Sequence, residues 1–372
     1  MRATQAERER LRADFVRLCE IPSPSRRERG AADFVAAELG LEVSEDSSAA
    51  ETGADAGNLY ARIPAPEGAP TILLCAHLDT VPLTGPIEVD ESEGRFSNRF
   101  DAILGADNKA AVAAFMGVAR RFAAGGAPVG IEFLFTTCEE VALAGAKAFD
   151  RARLRADYGF VFDHASPIGE LIIAAPSYFR VEAEFHGRAA HAGIRPEDGR
   201  SAIVAAASAL DRMELGRLDP ETTANAGRIE GGTAANVVAE RCRVELEARS
   251  VDLDKATRVV ERMVDALTDA ASDAECDVET HIEEQFRGYR MPRTAPPVAA
   301  ATAALTELGI EPEYVTTGGG SDANVFNAAG LPCLNVANGT AHNHEPDEFV
   351  TIEALESAFD VALSLVECSD SH

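Results

Sequence analysis

Carboxylates and histidines at the ends of apolar segments are the residues of this sequence best suited to chemistry. In chain order they are His77, Asp79, Asp107, Glu139, Glu140, Asp163 and His344. Two histidines and three carboxylates form a ligand set that suits a pair of divalent metal ions. Asp79 and Glu139 then remain to assist a metal-activated water molecule. This combination predicts metal-assisted hydrolysis as the reaction class.

Each candidate has an ordinary structural explanation when it is taken alone. Asp107 precedes a helical pattern and could cap that helix. Glu139 and Glu140 could form a solvated acidic turn, although adjacent carboxylates point in different directions, so one can bind a metal while the other acts as a base. His342 and His344 could both be surface histidines. The recurrence of such residues at the ends of separate segments favours one joint site over several coincidences.

The elements that must position these residues alternate between strands and helices. Short apolar runs predict buried strands at Thr71–Cys75, Ile131–Thr136 and Gly159–Phe162, and helical spacing predicts a helix over 108–123. This alternation is typical of an α/β fold with a mostly parallel sheet covered on both faces. Reactive residues in such sheets collect at the carboxyl ends of the strands, where most of the candidates lie.

The pattern changes at about Pro176, where a second predicted domain begins. Its predicted elements are a strand at Tyr178–His186, a helix at Ser201–Leu210, a glycine-bearing hairpin region at Arg228–Asn236, a strand at Cys242–Ala248 and a helix at Asp254–Ala271. These elements predict a small α+β sandwich. We therefore expect an inserted domain at 176–287 inside a discontinuous metal-binding domain formed by 1–175 and 288–372.

The charge balance limits the partners of this protein. Sixty-two acidic residues against 34 basic ones give a net charge of −28, and only three residues are lysine. Such a surface repels nucleic acids and anionic lipids, and its composition favours an origin in a high-salt cytoplasm, where salt screens the repulsion. No apolar run is long enough to span a membrane, and the first residues lack the apolar stretch of a secretion signal. The expected location is the cytoplasm.

The ordered motifs resemble those of the co-catalytic zinc peptidase and deacylase superfamily. This superfamily contains peptidase T, carboxypeptidase G, acetylornithine deacetylase and succinyl-diaminopimelate desuccinylase. The segments that carry the resemblance are 21–25, 76–82, 105–111, 137–141, 185–193, 231–237 and 317–323. An aspartate at position 163 is similar to peptidase T-like members, whereas Thr317–Gly320 is closer to carboxypeptidase G. The resemblance implies a zinc-exopeptidase-like catalytic domain with an inserted lid or dimerisation domain.

The resemblance also implies roles for the candidate residues. Asp107 would bridge two divalent metals, most simply zinc, with cobalt or manganese as alternatives. His77 and Asp163 would complete one metal site, and Glu140 and His344 the other. Catalysis would fall to Asp79, which orients a ligand, and Glu139, which is the base for a metal-bridging hydroxide. Substrate would bind at His191, Asn236 and Arg249. A cis peptide bond between Asp107 and Asn108 is a further implication.

The predicted function is therefore hydrolysis of a peptide or amide bond in a small peptide, as in a peptidase T-like aminopeptidase. An N-acyl amino acid deacylase and a carboxypeptidase are the alternatives, and a homodimer through the inserted domain is expected. A nucleotide-binding loop at 318–322 is disfavoured because it lacks the P-loop lysine. A non-catalytic scaffold is disfavoured because Glu139 and all the candidate ligands are present.

Overall fold

The computed structural model describes residues 1–369 and divides into two compact units. The first unit consists of Met1–Ile173, Met291–Thr316 and the chain from Ser321 onward. The second unit consists of Ala174–Arg290 and Thr317–Gly320, so the predicted inserted segment lies within it. Across the part of the chain that the structure describes, no helix combines the length and apolarity needed to cross a membrane.

The helices begin and end where capping residues and apolar periodicity place them. Thr4 and Glu7, for example, form a reciprocal capping box that starts the first helix. The helices of residues 1–369 are α1 (Gln5–Glu20), α2 (Arg29–Glu38), α3 (Ala49–Thr52), α4 (Ala106–Gly125), α5 (Ala144–Ala148), α6 (Ala202–Asp211), α7 (Leu253–Asp273), α8 (Pro296–Leu308), α9 (Asp322–Ala328) and α10 (Ile352–Cys368).

The strands follow either continuous apolar runs or alternating patterns. They are β1 (Ser44–Glu45), β2 (Leu59–Ile63), β3 (Thr71–His77), β4 (Val89–Ser92), β5 (Arg95–Asn98), β6 (Gly130–Thr136), β7 (Tyr158–His164), β8 (Glu170–Ala175), β9 (Ser177–His186), β10 (Gly216–Asp219), β11 (Thr222–Gly231), β12 (Arg241–Ser250), β13 (Asp277–Phe286), β14 (Tyr289–Arg290), β15 (Glu313–Thr316), β16 (Cys333–Ala337), β17 (Thr340–Ala341) and β18 (Phe349–Thr351).

The first unit is built on a sheet whose centre is parallel. The strand order is β1-β2-β6-β3-β7-β16-β8, and β15 also pairs with β8. The four central strands, β6, β3, β7 and β16, run parallel, while the flanking pairs are antiparallel. Each residue of β6 is buried, as expected for a strand covered on both faces. The carboxyl ends of these strands therefore meet at one edge of the sheet.

The second unit is an α+β sandwich. Its antiparallel sheet has the order β10-β11-β12-β9-β13, and α6 and α7 cover one face. Val244, Leu246 and Ala248 of β12 point into the core, as their alternation predicts, and they join Val259 and Met263 of α7. The predicted fold class is thus confirmed: a mostly parallel α/β unit and a separate α+β sandwich.

The predicted hairpin region at Arg228–Asn236 contains the end of β11 and the turn that leads to its antiparallel partner β12. Two strands of the sheet, β10 and β13, were not expected. β13 lies at the edge of the sheet and is mostly exposed, and its apolar residues are interrupted by polar and charged ones. An edge strand that is exposed to solvent does not need the apolar pattern on which the prediction depended.

Candidate metal centre

His77 ends β3 and is almost completely buried, with 1% of the residue exposed. Its Nδ1 lies 3.0 Å from the backbone oxygen of Asp79. A proton on Nδ1 satisfies this contact, and the lone pair of Nε2 is then free to bind a metal. Nε2 faces Asp107 Oδ1 at 3.4 Å and Asp163 Oδ1 at 3.5 Å.

Asp107 lies in the first turn of α4, where the peptide bond to Asn108 is cis, as the resemblance implied. The two carboxylate oxygens of Asp107 face different histidines: Oδ1 faces His77, and Oδ2 lies 3.4 Å from Nε2 of His344. The buried Glu348 holds the backbone here. It accepts hydrogen bonds from the N–H groups of Gly105 at 2.7 Å and of Asp107 at 2.9 Å.

Glu139 and Glu140 lie in the loop after β6. Side chains from distant segments accept hydrogen bonds from successive backbone N–H groups of that loop. The N–H of Thr137 donates to Asn58 at 3.0 Å, and that of Cys138 donates to Glu28 at 3.1 Å. The N–H groups of Glu139 and Glu140 donate to the two oxygens of Asp79, at 2.9 and 3.2 Å. Asp79 therefore holds this loop in place in addition to contacting His77.

Asp163 is placed by an asparagine on the neighbouring strand. Its backbone N–H donates to Asn335 Oδ1, and Asn335 Nδ2 donates to the Asp163 backbone oxygen, each at 3.0 Å. His344, in contrast, lies in a loop and its side chain is 49% exposed, with Nε2 2.8 Å from Glu140 Oε1. The neighbouring His342 pairs with Asp347 instead, at 2.5 Å. The five predicted metal ligands therefore converge, and His342 stays apart from them.

The side chains present fit a pair of divalent metals. His77 Nε2 and Asp107 Oδ1 are buried and face each other without a hydrogen-bond partner, which is costly unless a cation lies between them. Ligand atoms of His77, Asp107 and Glu140 lie within 4.8 Å of one another, and so do those of His77, Glu139 and Asp163. The second group also brings Glu139, which was predicted to be the base, within reach of a metal.

The electrostatics of the centre favour cations. Burial by itself lowers the pKa of His77, but the charges of Asp163 and Asp107 outweigh this effect and raise it well above its ordinary value. Hydrogen bonds to Asp107 and Glu140 raise the pKa of His344 to about 10. Several carboxylates in a small buried volume thus hold protons on both histidines, and bound metal ions would take the place of those protons.

Glu139 and Asp79 are both buried but have opposite pKa shifts. Burial, followed by the charge of Asp163, raises the pKa of Glu139 well above its ordinary value, although His77 opposes the shift. Burial also raises the pKa of Asp79, but His77 and the Ser25 hydroxyl outweigh it and hold that pKa below its ordinary value. The surroundings of Glu139 therefore favour uptake of a proton, as a general base requires, whereas those of Asp79 favour its ionised form.

The predicted substrate-binding residues all belong to the second unit. The chain segments of His191 and Asn236 are paired, because His191 forms a bridge with Val237 and the N–H of Ala192 donates to the Asn236 backbone oxygen. Arg249 lies on β12 with its guanidinium 4.3 Å from the ring centre of Tyr178. Its Nε is buried and has no hydrogen-bond partner. The roles of these three residues stay predictions.

Several residues that support the site were missed from the sequence. Lys109 is buried, and its Nζ donates to the Leu78 backbone oxygen at 2.8 Å and to the Ser23 hydroxyl. It thereby joins the segment 21–25 to the loop after β3. A lysine directly before the apolar stretch 110–119, in a chain with three lysines, was the available signal. Asn58 and Glu28 gave no comparable signal because they lie outside any recognisable motif.

Comparison with known proteins adds independent findings. The sequence model of the family described as Peptidase family M20/M25/M40 matches residues 73–367. The uncharacterized protein YqjE of Bacillus subtilis is 36% identical over 362 residues, which cover 96% of this chain and 98% of the relative.

Two solved structures resemble this fold over nearly its whole length. The crystal structure of aminopeptidase PepT from Bacillus cereus has a TM-score of 0.89 and 36% identity, covering 97% of this chain and 98% of that chain. A tripeptidase from Staphylococcus aureus has a TM-score of 0.92 and 31% identity, covering 98% and 99%. Both similarities extend over the two units of the chain.

Proposed function

The chain belongs to peptidase family M20/M25/M40, and from this premise we propose that it is a dinuclear metallopeptidase that cleaves small peptides. The observation that carries the proposal is the convergence of five ligand side chains around buried polar atoms without partners, beside a buried glutamate with a raised pKa. A peptidase T-like aminopeptidase acting on tripeptides is the most specific form of the proposal. The similarity to an aminopeptidase and to a tripeptidase supports it.

The proposed metal ligands divide into two sets that share Asp107. His77 and Asp163 would hold one ion, and Glu140 and His344 the other, because the two oxygens of Asp107 face the two histidines separately. Nitrogen and carboxylate oxygen donors without thiolates suit zinc, and also cobalt and manganese. When bound, such ions lower the pKa of water and polarise a substrate carbonyl.

The residues of this chain would then move the protons. Glu139 is buried and has a raised pKa, so its carboxylate can accept the proton of the attacking water and return it to the leaving amine. Asp79 would keep His77 in the tautomer that leaves Nε2 free, because its backbone oxygen lies 3.0 Å from Nδ1 and its Oδ1 lies 3.4 Å from the same atom, and both are acceptors when Asp79 is ionised. Asp79 also fixes the loop of Glu139 through the N–H of that residue.

Arg249 is the proposed anchor for a substrate carboxylate. Its planar guanidinium has a buried Nε without a partner, while Nη1 donates to the Gly318 backbone oxygen at 3.3 Å and Nη2 donates to Glu247 at 3.2 Å. A guanidinium with unused donors recognises a carboxylate through two parallel hydrogen bonds. His191 is proposed to stabilise the oxyanion and Asn236 to bind the substrate backbone. The backbone bridge between His191 and Val237 brings the chain segments of His191 and Asn236 together, which supports a joint role of these two residues in substrate binding.

A homodimer through the second unit belongs to the same proposal. Six large apolar side chains of this unit are at least 39% exposed: Ile194, Ile203, Val204, Leu215, Ile229 and Ile282. Exposed apolar side chains of this number on one unit favour an interface with a second copy. Sedimentation equilibrium of the purified protein would measure the mass, and a monomer at all concentrations would contradict this part of the proposal.

A substrate panel would test the proposed activity. Tripeptides, dipeptides, N-acetylated tripeptides, C-terminally amidated tripeptides and N-acyl amino acids would be incubated with protein loaded with zinc, cobalt or manganese. An aminopeptidase releases the first residue and rejects the acetylated peptide. Cleavage of the acetylated peptide with release of the last residue would indicate a carboxypeptidase, and hydrolysis of N-acyl amino acids alone would indicate a deacylase. No hydrolysis of any amide would contradict the proposal.

A further inference from the structure

A buried carboxyl that the proposed reaction does not use lies next to the metal centre. Asp322, the first residue of α9, is 1% exposed. Its Oδ2 accepts a hydrogen bond from the Thr136 hydroxyl at 2.5 Å and lies 3.8 Å from the Cys75 sulfur. Its Oδ1 is buried and has no partner. Thr136 is three residues before Glu139, and Cys75 is two residues before His77, so one side chain joins two strands of the site.

The hydrogen bonds of two other buried carboxyls here are distributed differently, whereas Glu28 resembles Asp322 because its Oε2 has no partner. One carboxylate oxygen of Asp79 accepts a hydrogen bond from the N–H of Glu139, and the other accepts one from the N–H of Glu140. Glu348 likewise accepts backbone N–H groups on both of its oxygens, although burial raises its pKa to about 7. The distribution of donors, and not the pKa, therefore distinguishes Glu348 from Asp322. An ionised carboxylate in a protein interior needs donors on both oxygens, because each carries half of the charge. Asp322 has donors on one oxygen alone, which is the pattern of a neutral acid with its proton on the other oxygen.

The groups that face Asp322 also favour the neutral form. Burial has the largest effect, and the negative charges of Asp163 and Asp79 add to it; the Thr136 hydroxyl and His77 act in the opposite direction, and the resulting pKa is about 7. The other titratable groups that interact with it are Glu139, whose carboxylate also disfavours a second charge, and the buried thiols of Cys75 and Cys333. Of the titratable groups named here, His77 favours the ionised form, as the Thr136 hydroxyl also does.

We propose that Asp322 is a positioning residue that fastens the end of β3 to the end of β6 as a neutral carboxylic acid. This proposal rests on the proposed function, because the strands it joins present His77 and Glu139. A neutral acid satisfies the Thr136 hydroxyl without adding a further negative charge to a site that already contains several. Asp322 would thereby set the distance between the metal ligand and the base.

Two substitutions separate this proposal from a merely structural role. Asp322→Asn keeps the shape and the neutral acceptor, so the metal-loaded variant should retain its metal content, and kcat should fall by less than about tenfold. Asp322→Leu keeps the volume but removes the acceptor. We expect it to lose about 10²-fold in kcat, with a smaller change in KM, because misplacement of a catalytic group by about 1 Å has this cost. Equal losses in the two variants would overturn the proposal.

Glu348→Gln is the matched control, since Glu348 accepts an N–H on each oxygen. An amide has a single acceptor oxygen, so this variant must place an NH₂ group against a backbone N–H. We expect weaker metal retention in dialysis followed by metal analysis, in contrast to Asp322→Asn. If Asp322→Asn loses metal as readily as Glu348→Gln, Asp322 acts as a carboxylate and the proposal is wrong.

Infrared spectroscopy tests the protonation state without any substrate. The difference spectrum between the metal-loaded wild-type protein and Asp322→Asn, recorded near pH 6, should contain the carbonyl band of one protonated carboxylic acid. Absence of that band overturns the proposal even if a variant such as Asp322→Leu fails to fold. Because this measurement and the metal analysis need no turnover, a protein that hydrolyses no peptide would contradict the proposed function and leave the test of Asp322 intact.

Discussion

The two units place their charged residues in opposite ways. In the first unit, charged side chains are buried around the strand ends, including Glu28, Asp79, Asp107, Glu139 and Glu348. Over residues 174–290 and 317–320 of the second unit, the buried polar side chains are Ser177, Thr222, Ser250 and Gln285, and none of them is charged. Since burial of a carboxylate is costly without a compensating partner, the difference indicates where the chemistry lies.

Charges of the second unit lie instead on the outer face of its sheet. Arg180 pairs with Glu245 on the neighbouring strand at 3.1 Å, and Arg241 pairs with Glu184 at 3.2 Å. Exposed pairs of this kind contribute about 0–1 kcal/mol each. Arg249 also pairs with a glutamate, Glu247, at 3.2 Å, but it differs from them because its Nε is buried without a partner. The same acidic composition therefore serves ligand binding in one unit and solvation in the other.

Metal removal should have the largest effect, because it acts on the buried charges of the first unit. Chelation should abolish peptide hydrolysis, and zinc, cobalt or manganese should restore it. His77→Ala should lose about 10³-fold or more in kcat/KM, since several kcal/mol of transition-state stabilisation depend on the metal. Metal analysis and peptide assays would measure both effects. His342→Ala, in an exposed side chain that pairs with Asp347, is the control, and an equal loss there would contradict the ligand assignment.

Glu139→Gln should have the next largest effect. The variant keeps its metals but loses about 10²–10⁴-fold in kcat, because the amide cannot accept a proton. Glu140→Gln should instead lose metal. Parallel metal analysis and steady-state kinetics of the two variants distinguish base from ligand. The assignment is reversed if Glu140→Gln loses turnover alone while Glu139→Gln stays active, and the proximity of Glu139 to His77 and Asp163 makes this comparison necessary.

Arg249→Ala tests whether the second unit contributes a functional charge. Loss of a charge-assisted hydrogen bond worth about 1.5–3 kcal/mol should raise KM by roughly 10- to 100-fold with a smaller change in kcat. The matched control is Arg243→Ala, on the same strand, which removes an arginine that is 50% exposed and pairs with Glu182. Steady-state kinetics with a tripeptide would show equal KM values for both variants if Arg249 has no role in binding.

Salt should stabilise the protein through its exposed carboxylates. With a net charge of −28, repulsion between surface charges is strong at low ionic strength and is screened in molar potassium chloride. We expect Tm to rise by about 5 °C or more, which corresponds to roughly 4 kcal/mol for a protein of this size. Calorimetry over a salt series, with sucrose as an uncharged control, would measure the shift. A flat response would contradict a high-salt origin.

Glu7 should give the smallest effect, because it is a partly exposed charge far from the strand ends in sequence. Hydrogen bonds from Arg121 lower the pKa of Glu7 from 4.5 to about 2, and the side chain is 29% exposed. A depressed pKa stabilises the fold above about pH 4.5, and this contribution is lost as the pH falls through about 2. Glu7→Gln should therefore cost about 1 kcal/mol near neutral pH and progressively less in acid.

Denaturant unfolding at several pH values would measure the difference between Glu7→Gln and the wild-type protein. The control is Glu9→Gln, which changes an exposed carboxylate of the same helix. If both substitutions have the same pH-independent effect, the ion pair with Arg121 does not stabilise the fold.

The sequence by itself determined the types of residue in the site and the strands that carry them. Mostly apolar runs predicted β3, β6 and β7, and the residues that follow or end these strands meet because the strands are parallel. The ordered motifs also pointed to the family. Alternation predicted β12, whereas the edge strand β13 was missed because exposure to solvent removes the need for an apolar pattern.

Only the tertiary structure decided how the ligand loops are held. Asn58 accepts the N–H of Thr137, Asn335 clamps Asp163, and Asp322 accepts from Thr136 across 186 positions of the chain. A polar residue becomes such a support when the fold buries it opposite a donor, and nothing in its local sequence distinguishes it from an exposed one. The sequence therefore specifies the reacting groups, while long-range packing selects the hydrogen-bond partners that set their positions and their charge.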